Sequence, residues 1–374
     1  MHFGTVMSAL PPVNRSEEWW VDRRNSLEAV RADWVRLAAS SASIFSTFEW
    51  ADAWWHAHRR ASRTEPAIFA CGYDSDAPAG LIPLYTWQER PLRVARFLGH
   101  GEADELGPIA SPAAVGPVGR LLSRALDELR PDLFVGDVML EDSVPPTLDS
   151  RTLVQEPNPR LELARFESWD DFLASRSRNF REQFRRKLRK LERTGSAQFR
   201  LSTAETLAVD LDALFELHRR RWGDSAFLRA EPFHRDFARR ALDRGWLRLW
   251  MIDVGGEPVA AWYGFSRNGT MSYYNGGREP RAGDLSVGYL LLMQTVQAAV
   301  EEGCHTYSLL RGDDAYKYRL ASASSDTVTV AVPFSWRGRV AARAYRPASA
   351  ALQAMRAVAA HLPARPTVAR AAGG

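Results

Sequence analysis

The 374-residue chain reads as an α/β protein with mixed sheets, built from one unit used twice. Three observations predict this. The order helix-helix-strand-strand-strand-helix-strand occurs in both halves, offset by about 180 residues, although the residues themselves barely match; a duplication explains that order. The chain is also longer than one core usually organises, so two domains are expected. Finally, the turns Gly255-Gly256-Glu257 and Arg267-Asn268-Gly269 separate apolar runs in the manner of β-hairpins.

In the first half, Leu27 to Ala39 places Leu27, Val30, Trp34 and Leu37 on one helical face. Phe48 to Arg59 is an aromatic-rich helix. Ala67 to Tyr73 and Gly80 to Trp87 are strands around the turn Asp74-Ser75-Asp76-Ala77-Pro78. Arg93 to Gly99 is a third strand. Val115 to Leu129 is a helix closed by Arg130-Pro131, and Leu133 to Leu140 is a strand of buried type. In the second half, Leu207 to Trp222 is a helix and another follows Pro232. Leu247 to Val254, Val259 to Ser266 and Met271 to Asn275 are strands. Val287 to Glu302 is a long helix ended by Gly303, and Thr306 to Leu310 is a strand.

These elements divide the chain into a flexible N-terminus (1–26), a first lobe (27–140), a linker rich in Pro, Asp and Ser (141–160), a second lobe (161–336) and an Ala/Arg-rich C-terminal segment (337–374). That last segment holds no Asp or Glu. It reads as a packing helix with a disordered end, or as a basic helix in peripheral contact with a membrane surface.

Composition excludes several classes. Hydrophobic content of 45% and charged content of 25% suit a soluble globular protein. A net charge of only +4 argues against a dedicated DNA binder. Cys71 and Cys304 lie far apart in or beside apolar runs, which disfavours a disulfide scaffold, and no Cys/His cluster has metal-binding spacing. Met1 to Trp20 lacks the basic flank and apolar core of a signal peptide, and no apolar stretch reaches about 18 residues, so a cytoplasmic protein is expected.

The chemistry concentrates in the second half. Of 49 cationic residues only three are lysines, Lys187, Lys190 and Lys317. Lys317 follows an apolar strand and the turn Arg311-Gly312-Asp313-Asp314, where a compact ammonium could stabilise oxyanion or phosphate charge, with Asp313 or Asp314 holding it or binding an amine. The long helix begins at Ser286-Val287-Gly288-Tyr289. Its small residues leave backbone amides open at a positive helix end suited to a pyrophosphate. The strand ending Tyr273-Tyr274-Asn275-Gly276-Gly277 offers backbone groups to a neighbouring ligand, with at most one of the two tyrosines facing a cleft, and Asp284 or Glu279 could accept a proton from an amine. His218 and Trp222 share a helical face, so His218 could act as a base or rim residue. From Arg176 to Arg193 nine residues are basic and two acidic, a density that favours a polyanionic partner. There is no G-x-S-x-G, no P-loop and no strict dinucleotide fingerprint, so direct transfer fits better than a covalent enzyme.

In order and spacing, these pieces resemble GNAT-superfamily acetyltransferases of the CelD/BcsL and FemAB-like group. The matching stretches are Ser177-Arg178-Asn179-Phe180-Arg181, His218-Arg219-Arg220-Arg221-Trp222, Trp262-Tyr263-Gly264-Phe265, Ser286-Val287-Gly288-Tyr289-Leu290-Leu291 and Leu310-Arg311-Gly312-Asp313-Asp314-Ala315-Tyr316-Lys317. The first half resembles the companion lobe through Ile44-Phe45-Ser46-Thr47-Phe48-Glu49-Trp50 and Leu81-Ile82-Pro83-Leu84-Tyr85. The resemblance implies tandem GNAT-like lobes and acyl transfer, usually from acetyl-CoA or another acyl-CoA without a metal. The acceptor would be an amine or hydroxyl of a small molecule or a cell-envelope saccharide or peptide precursor. Lys317, Asp313 and Asp284 would serve the reaction. Ser286, Val287, Gly288, Tyr289, Tyr274, Asn275 and Arg311 would hold the donor, and His218, Trp222 and Arg178 the acceptor. In FemAB-like relatives the donor is an aminoacyl-tRNA; that is the lesser alternative here, as is a scaffold without chemistry. Ser308 stands where the family often has Asp, and the phosphate loop is less Gly-rich than usual.

Overall fold

The computed structural model describes residues 19–59, 64–73, 77–89 and 91–344. The expectations for 1–18 and 345–374, most of the flexible start and of the Ala/Arg-rich tail, lie outside the described residues. The first half comprises β1 (Trp20–Arg24), α1 (Arg31–Ala38), α2 (Phe48–His58), β2 (Thr64–Gly72), β3 (Gly80–Glu89), β4 (Leu92–Phe97), β5 (Ile109–Ala110), α3 (Val115–Arg120), α4 (Leu122–Leu129) and β6 (Leu133–Leu140). The second comprises β7 (Arg151–Glu162), α5 (Trp169–Ala174), α6 (Arg178–Glu192), β8 (Ala197–Leu201), α7 (Leu207–Trp222), α8 (Ala226–Arg229), α9 (Glu231–Asp243), β9 (Leu247–Val254), β10 (Glu257–Arg267), β11 (Thr270–Arg278), α10 (Val287–Glu301), β12 (Thr306–Ser308), α11 (Ala315–Tyr318), β13 (Ala323–Pro333) and α12 (Trp336–Ala344). No described helix is long and apolar enough to cross a membrane.

Local chemistry sets these boundaries. The Thr47 hydroxyl accepts from Trp50 N at 3.2 Å and starts α2. Gly223, at φ 68°, ends α7. Gly255 and Gly256 (φ 63° and 84°) and Asn268 and Gly269 (φ 45° and 72°) supply the paired positive φ angles that two-residue hairpin turns need. The expected single helix 115–129 is broken at Leu121, because Gly116, Pro117 and Gly119 weaken its first half; Leu121 N turns back to Val118 O at 3.0 Å.

Among the described residues thirteen strands form one mixed sheet, ordered β1-β2-β3-β4-β6-β13-β7-β12-β11-β10-β9-β8, with β5 beside β3. The order is nearly palindromic. Edge strands β1 and β8 pair antiparallel with β2 and β9. β4 runs parallel to β6, and β11 parallel to β12. The last strand of each unit is exchanged: β7, after the first unit, pairs with β12 of the second, while β13, after the second, pairs with β6 of the first. β7 and β13 then pair with each other at the centre.

This exchange corrects the expected linker. Residues 151–160 belong to a central strand, not a tether. Pro157 and Pro159, which argued against a strand, lie just beyond the three residues that pair with β12, where β7 has a strand partner on one edge only. The expected strand 306–310 is likewise shorter, because Leu310 takes φ 54° and turns the chain off the sheet.

Helices from both halves share the largest core. Trp50 of α2 is fully buried and meets Phe233 and Phe237 of α9 edge-on at 4.9 and 4.6 Å. Arg240 of α9 pairs with Asp52 at 2.6 Å, and Arg244 with Glu49 at 2.6 Å. A second core lies under α10, on the other side of the second half.

Candidate functional site

The site begins where two parallel strands part. β11 and β12 pair only at Thr270–Thr306, Met271–Tyr307 and Ser272–Ser308. β11 then continues to Arg278 along β10, while the chain after β12 clings to β7, Leu309 N donating to Pro159 O at 3.0 Å and Gly312 N to Pro157 O at 2.8 Å. A wedge opens between them. Its β11 wall has main-chain groups on one edge with no strand partner, which a ligand can satisfy.

Lys317 closes the β12 side. It is buried, and its Nζ donates to the carbonyls of Leu310 at 3.1 Å and Arg311 at 2.5 Å. Burial lowers the pKa of its ammonium, while Asp104 and Asp314 oppose that fall. Gly312 sits at φ 117°, which favours glycine, and a Cβ there would press on Lys317 Nζ at 3.2 Å. Arg311 is fixed by Asp104 and by Glu156 at 3.4 Å, and Asp104 chiefly raises its pKa. Tyr274 belongs to this corner too. Its hydroxyl donates to Glu102 O at 2.7 Å, and its ring joins the shared core through Phe45 and Trp50. Burial pushes its pKa well up, so it stays a neutral phenol.

The start of α10 forms the other end. Ser286 sits at φ 56°, and its hydroxyl accepts from Lys187 Nζ of α6 at 2.7 Å instead of capping the helix. Lys187 Nζ also lies 5.3 Å from the centre of the Tyr289 ring. Burial pushes the Tyr289 pKa up to about 12, and Arg319 acts against that rise. The Arg278 side chain lies across Gly288, whose Cβ would meet it at 3.2 Å. Val287 is buried in the second core. Lys187, Arg278 and Arg319 therefore gather at a positive helix end whose first turn holds no acid, which fits the phosphates of a nucleotide donor.

Arg221, Tyr273 and Tyr316 stand close to Asp314, whose charge acts on all three. Burial lowers the Arg221 pKa. Sequence reasoning weighed Asp314 beside Asp313 as the partner of Lys317, Tyr273 as one of two tyrosines of which at most one faces a cleft, and Lys187 only within the basic stretch; it gave no site role to Arg221, Tyr316 or Asp104. Lys187 carried a signal in being one of three lysines; Asp104 lies in the other half of the chain and carried none.

Other expected site residues sit differently. His218 is buried, with Nδ1 3.0 Å from Gly276 O and Nε2 3.0 Å from Ser225 Oγ. A carbonyl only accepts, so Nδ1 carries the proton and Nε2 accepts from Ser225. Burial lowers its pKa and keeps it neutral. With both nitrogens engaged, His218 clamps α7 to β11. Asn275 turns back, its Oδ1 accepting from Gly276 N at 2.8 Å. Trp222 is half exposed, under the Arg221 guanidinium at 4.4 Å. Arg178 is exposed and pairs with Glu182 at 2.6 Å. Asp284 and Asp313 are exposed, and no ion pair reaches either among the described residues. No cluster of three or more metal-ligating side chains occurs among the described residues.

Residues 178–318 match the family model described as an acetyltransferase (GNAT) domain. The match runs from the first turn of α6 through Lys317 and covers less than half of the chain. No curated protein matches. Among solved structures, FemX aligns at 10% identity over 83% of this chain and 97% of its own, with a TM-score of 0.57. The C-terminal domain of a putative lysylphosphatidylglycerol synthetase from Agrobacterium fabrum aligns at 11% identity over 89% and 97%, with a TM-score of 0.54. L-PGS from Bacillus licheniformis aligns at 12% identity over 87% and 94%, with a TM-score of 0.51. At such identities the likeness is one of fold, and it extends over both halves. The chain thus has an α/β fold of tandem GNAT-like lobes, and its segment 178–318 matches the family model of the acetyltransferase (GNAT) domain.

Proposed function

We propose that the protein is an acyltransferase that moves an acyl group directly from an acyl-CoA to an amine or hydroxyl of a small molecule or envelope precursor. The observation that carries this reading is the pairing, across one wedge, of the cation-lined start of α10 with the buried Lys317 ammonium. Lys187, Arg278 and Arg319 would hold the donor phosphates with the α10 amides, and the open edge of β11 would take the extended arm. The thioester supplies an activated acyl carbon. Lys317 has two N–H groups on carbonyls and a third left for negative charge building on the acyl oxygen. Arg311, held by Asp104 of the other lobe, fixes the backbone carbonyl that Lys317 leans on. His218, neutral and internally bonded, is not a free base, so the acceptor would arrive deprotonated or lose its proton to water. The first experiment is a thermal midpoint measured with acetyl-CoA, longer acyl-CoAs and free CoA. A ligand that binds only the folded state raises it. A rise with one acyl-CoA supports the reading, and no rise with any of them overturns it.

A second reading takes an aminoacyl-tRNA as donor. One observation favours it: α6 exposes Arg185, Arg186, Arg189 and Lys190 on a continuous basic face beside the site. Two structural relatives carry names concerned with lysylphosphatidylglycerol or L-PGS. Under this reading charged tRNA, and not acyl-CoA, binds with a steep salt dependence.

A further inference from the structure

The first lobe contains a cavity of about 400 Å³ that shares no residue with the wedge. Its walls are mostly apolar, including Trp34, Phe45, Leu98, Leu106 and Val144, and its size suits a small organic ligand. Its charged lining residues are Glu105, Asp142 and Arg120.

Glu105 differs from its acidic neighbours. Glu102 receives Trp54 Nε1 at 2.7 Å and pairs with His58 at 3.1 Å. Asp104 is paired with Arg311. No hydrogen bond or ion pair reaches Glu105 among the described residues, and burial alone raises its pKa. Glu105 is part-buried, and a carboxylate drawn partly out of water without a partner costs stability; such groups concentrate where a ligand completes them. Arg120 also lines the cavity, but no ion pair joins it to this carboxyl among the described residues.

The duplicated topology sharpens the point. Val115 and Gly116 begin the helix before β6 and line this cavity, as Val287 and Gly288 begin the helix before β12. In the second lobe that helix start is ringed by Lys187, Arg278 and Arg319. In the first lobe the cavity lining holds Glu105 and Asp142 with a single cation, Arg120. The first-lobe place therefore carries more acid and less base than its counterpart.

We propose that the first-lobe cavity is a binding site for an organic ammonium ion with an apolar body, with the Glu105 carboxylate as its counter-ion. The test titrates the full chain by calorimetry with 2-phenylethylammonium, with 2-phenylethanol as its neutral mate and 3-phenylpropanoate as its anionic one. The expected result is one site, at least tenfold tighter for the ammonium than for the alcohol, with no binding of the carboxylate. Glu105→Gln should bring the ammonium down to the alcohol's affinity and raise the thermal midpoint of the unliganded protein. Equal affinity for amine and alcohol in the natural chain would show an apolar cavity only and overturn the proposal. So would an unchanged amine preference in E105Q, or no binding of any of the three.

Discussion

Lys317 reaches back to the carbonyl of Leu310, the residue whose positive φ ends β12 and opens the wedge. One side chain therefore both shapes the turn and carries the charge. Replacing Lys317 by Met removes the ammonium at nearly constant length. We expect acyl transfer to fall by about 10²–10³-fold, the size of losing one charge-stabilising donor. The two carbonyls lose their donor, which should lower stability by roughly 1–3 kcal/mol. Rates measured well below the variant's thermal midpoint separate the two effects. Unchanged turnover there would remove Lys317 from the reaction.

Lys187 sits on α6, yet its ammonium is bonded to Ser286 at the start of α10. Lys187→Ala should weaken acyl-CoA binding about tenfold, or about 1.4 kcal/mol, and flatten its salt dependence. The thermal midpoint without ligand should hardly move, because the pair is part-exposed. Equal CoA affinity in variant and parent would place the phosphates elsewhere.

The fold was readable because its signals are local. Asn268-Gly269 and Gly255-Gly256 specify hairpins from two residues each, and Leu207–Trp222 emerged with both ends as expected. The exchanged strand was not readable. Arg151–Glu162 contains two prolines, and its partners Ala323–Pro333 and Thr306–Ser308 are remote in sequence, so nothing nearby distinguishes it from a linker. The site divides in the same way. Lys317 and Ser286 stand inside recognisable local patterns. Asp104, which fixes Arg311, comes from the other lobe, and only the folded chain brings them together. His218 drew notice as a titratable group on a helix, but its burial and its two partners are tertiary facts.

Gly277 shows how closely α7 lies on the wedge wall. A Cβ there would stand 2.4 Å from His218 N and 2.6 Å from the Leu217 carbonyl carbon, both main-chain atoms that cannot step aside. Gly277→Ala must push α7 away from β11 and break the bond between His218 and Gly276 O. We expect a loss of about 1–3 kcal/mol from overpacking, read as a lower denaturation midpoint, with weakened donor binding. A variant as stable as the parent would mean that α7 is free to shift.

Acid should destabilise the protein through buried neutral imidazoles. His234 is fully buried among Phe227, Phe233 and Tyr274, neither ring nitrogen has a partner, and burial lowers its pKa to about 3. His100 is lowered to about 4, again chiefly by burial. The ordinary value is 6.5. Between 6.5 and these values the unfolded chain binds protons that the folded chain refuses, so stability rises with pH across that window. It is fully present above 6.5 and drains as the pH falls, each histidine adding a slope of about 1.4 kcal/mol per pH unit. His234→Phe keeps a ring of similar shape and removes two unpaired nitrogens. The variant should be at least as stable as the parent at pH 7 and lose less stability between pH 6.5 and pH 4, by urea denaturation at each pH. If its pH slope matches the parent's, the proton uptake belongs to other groups.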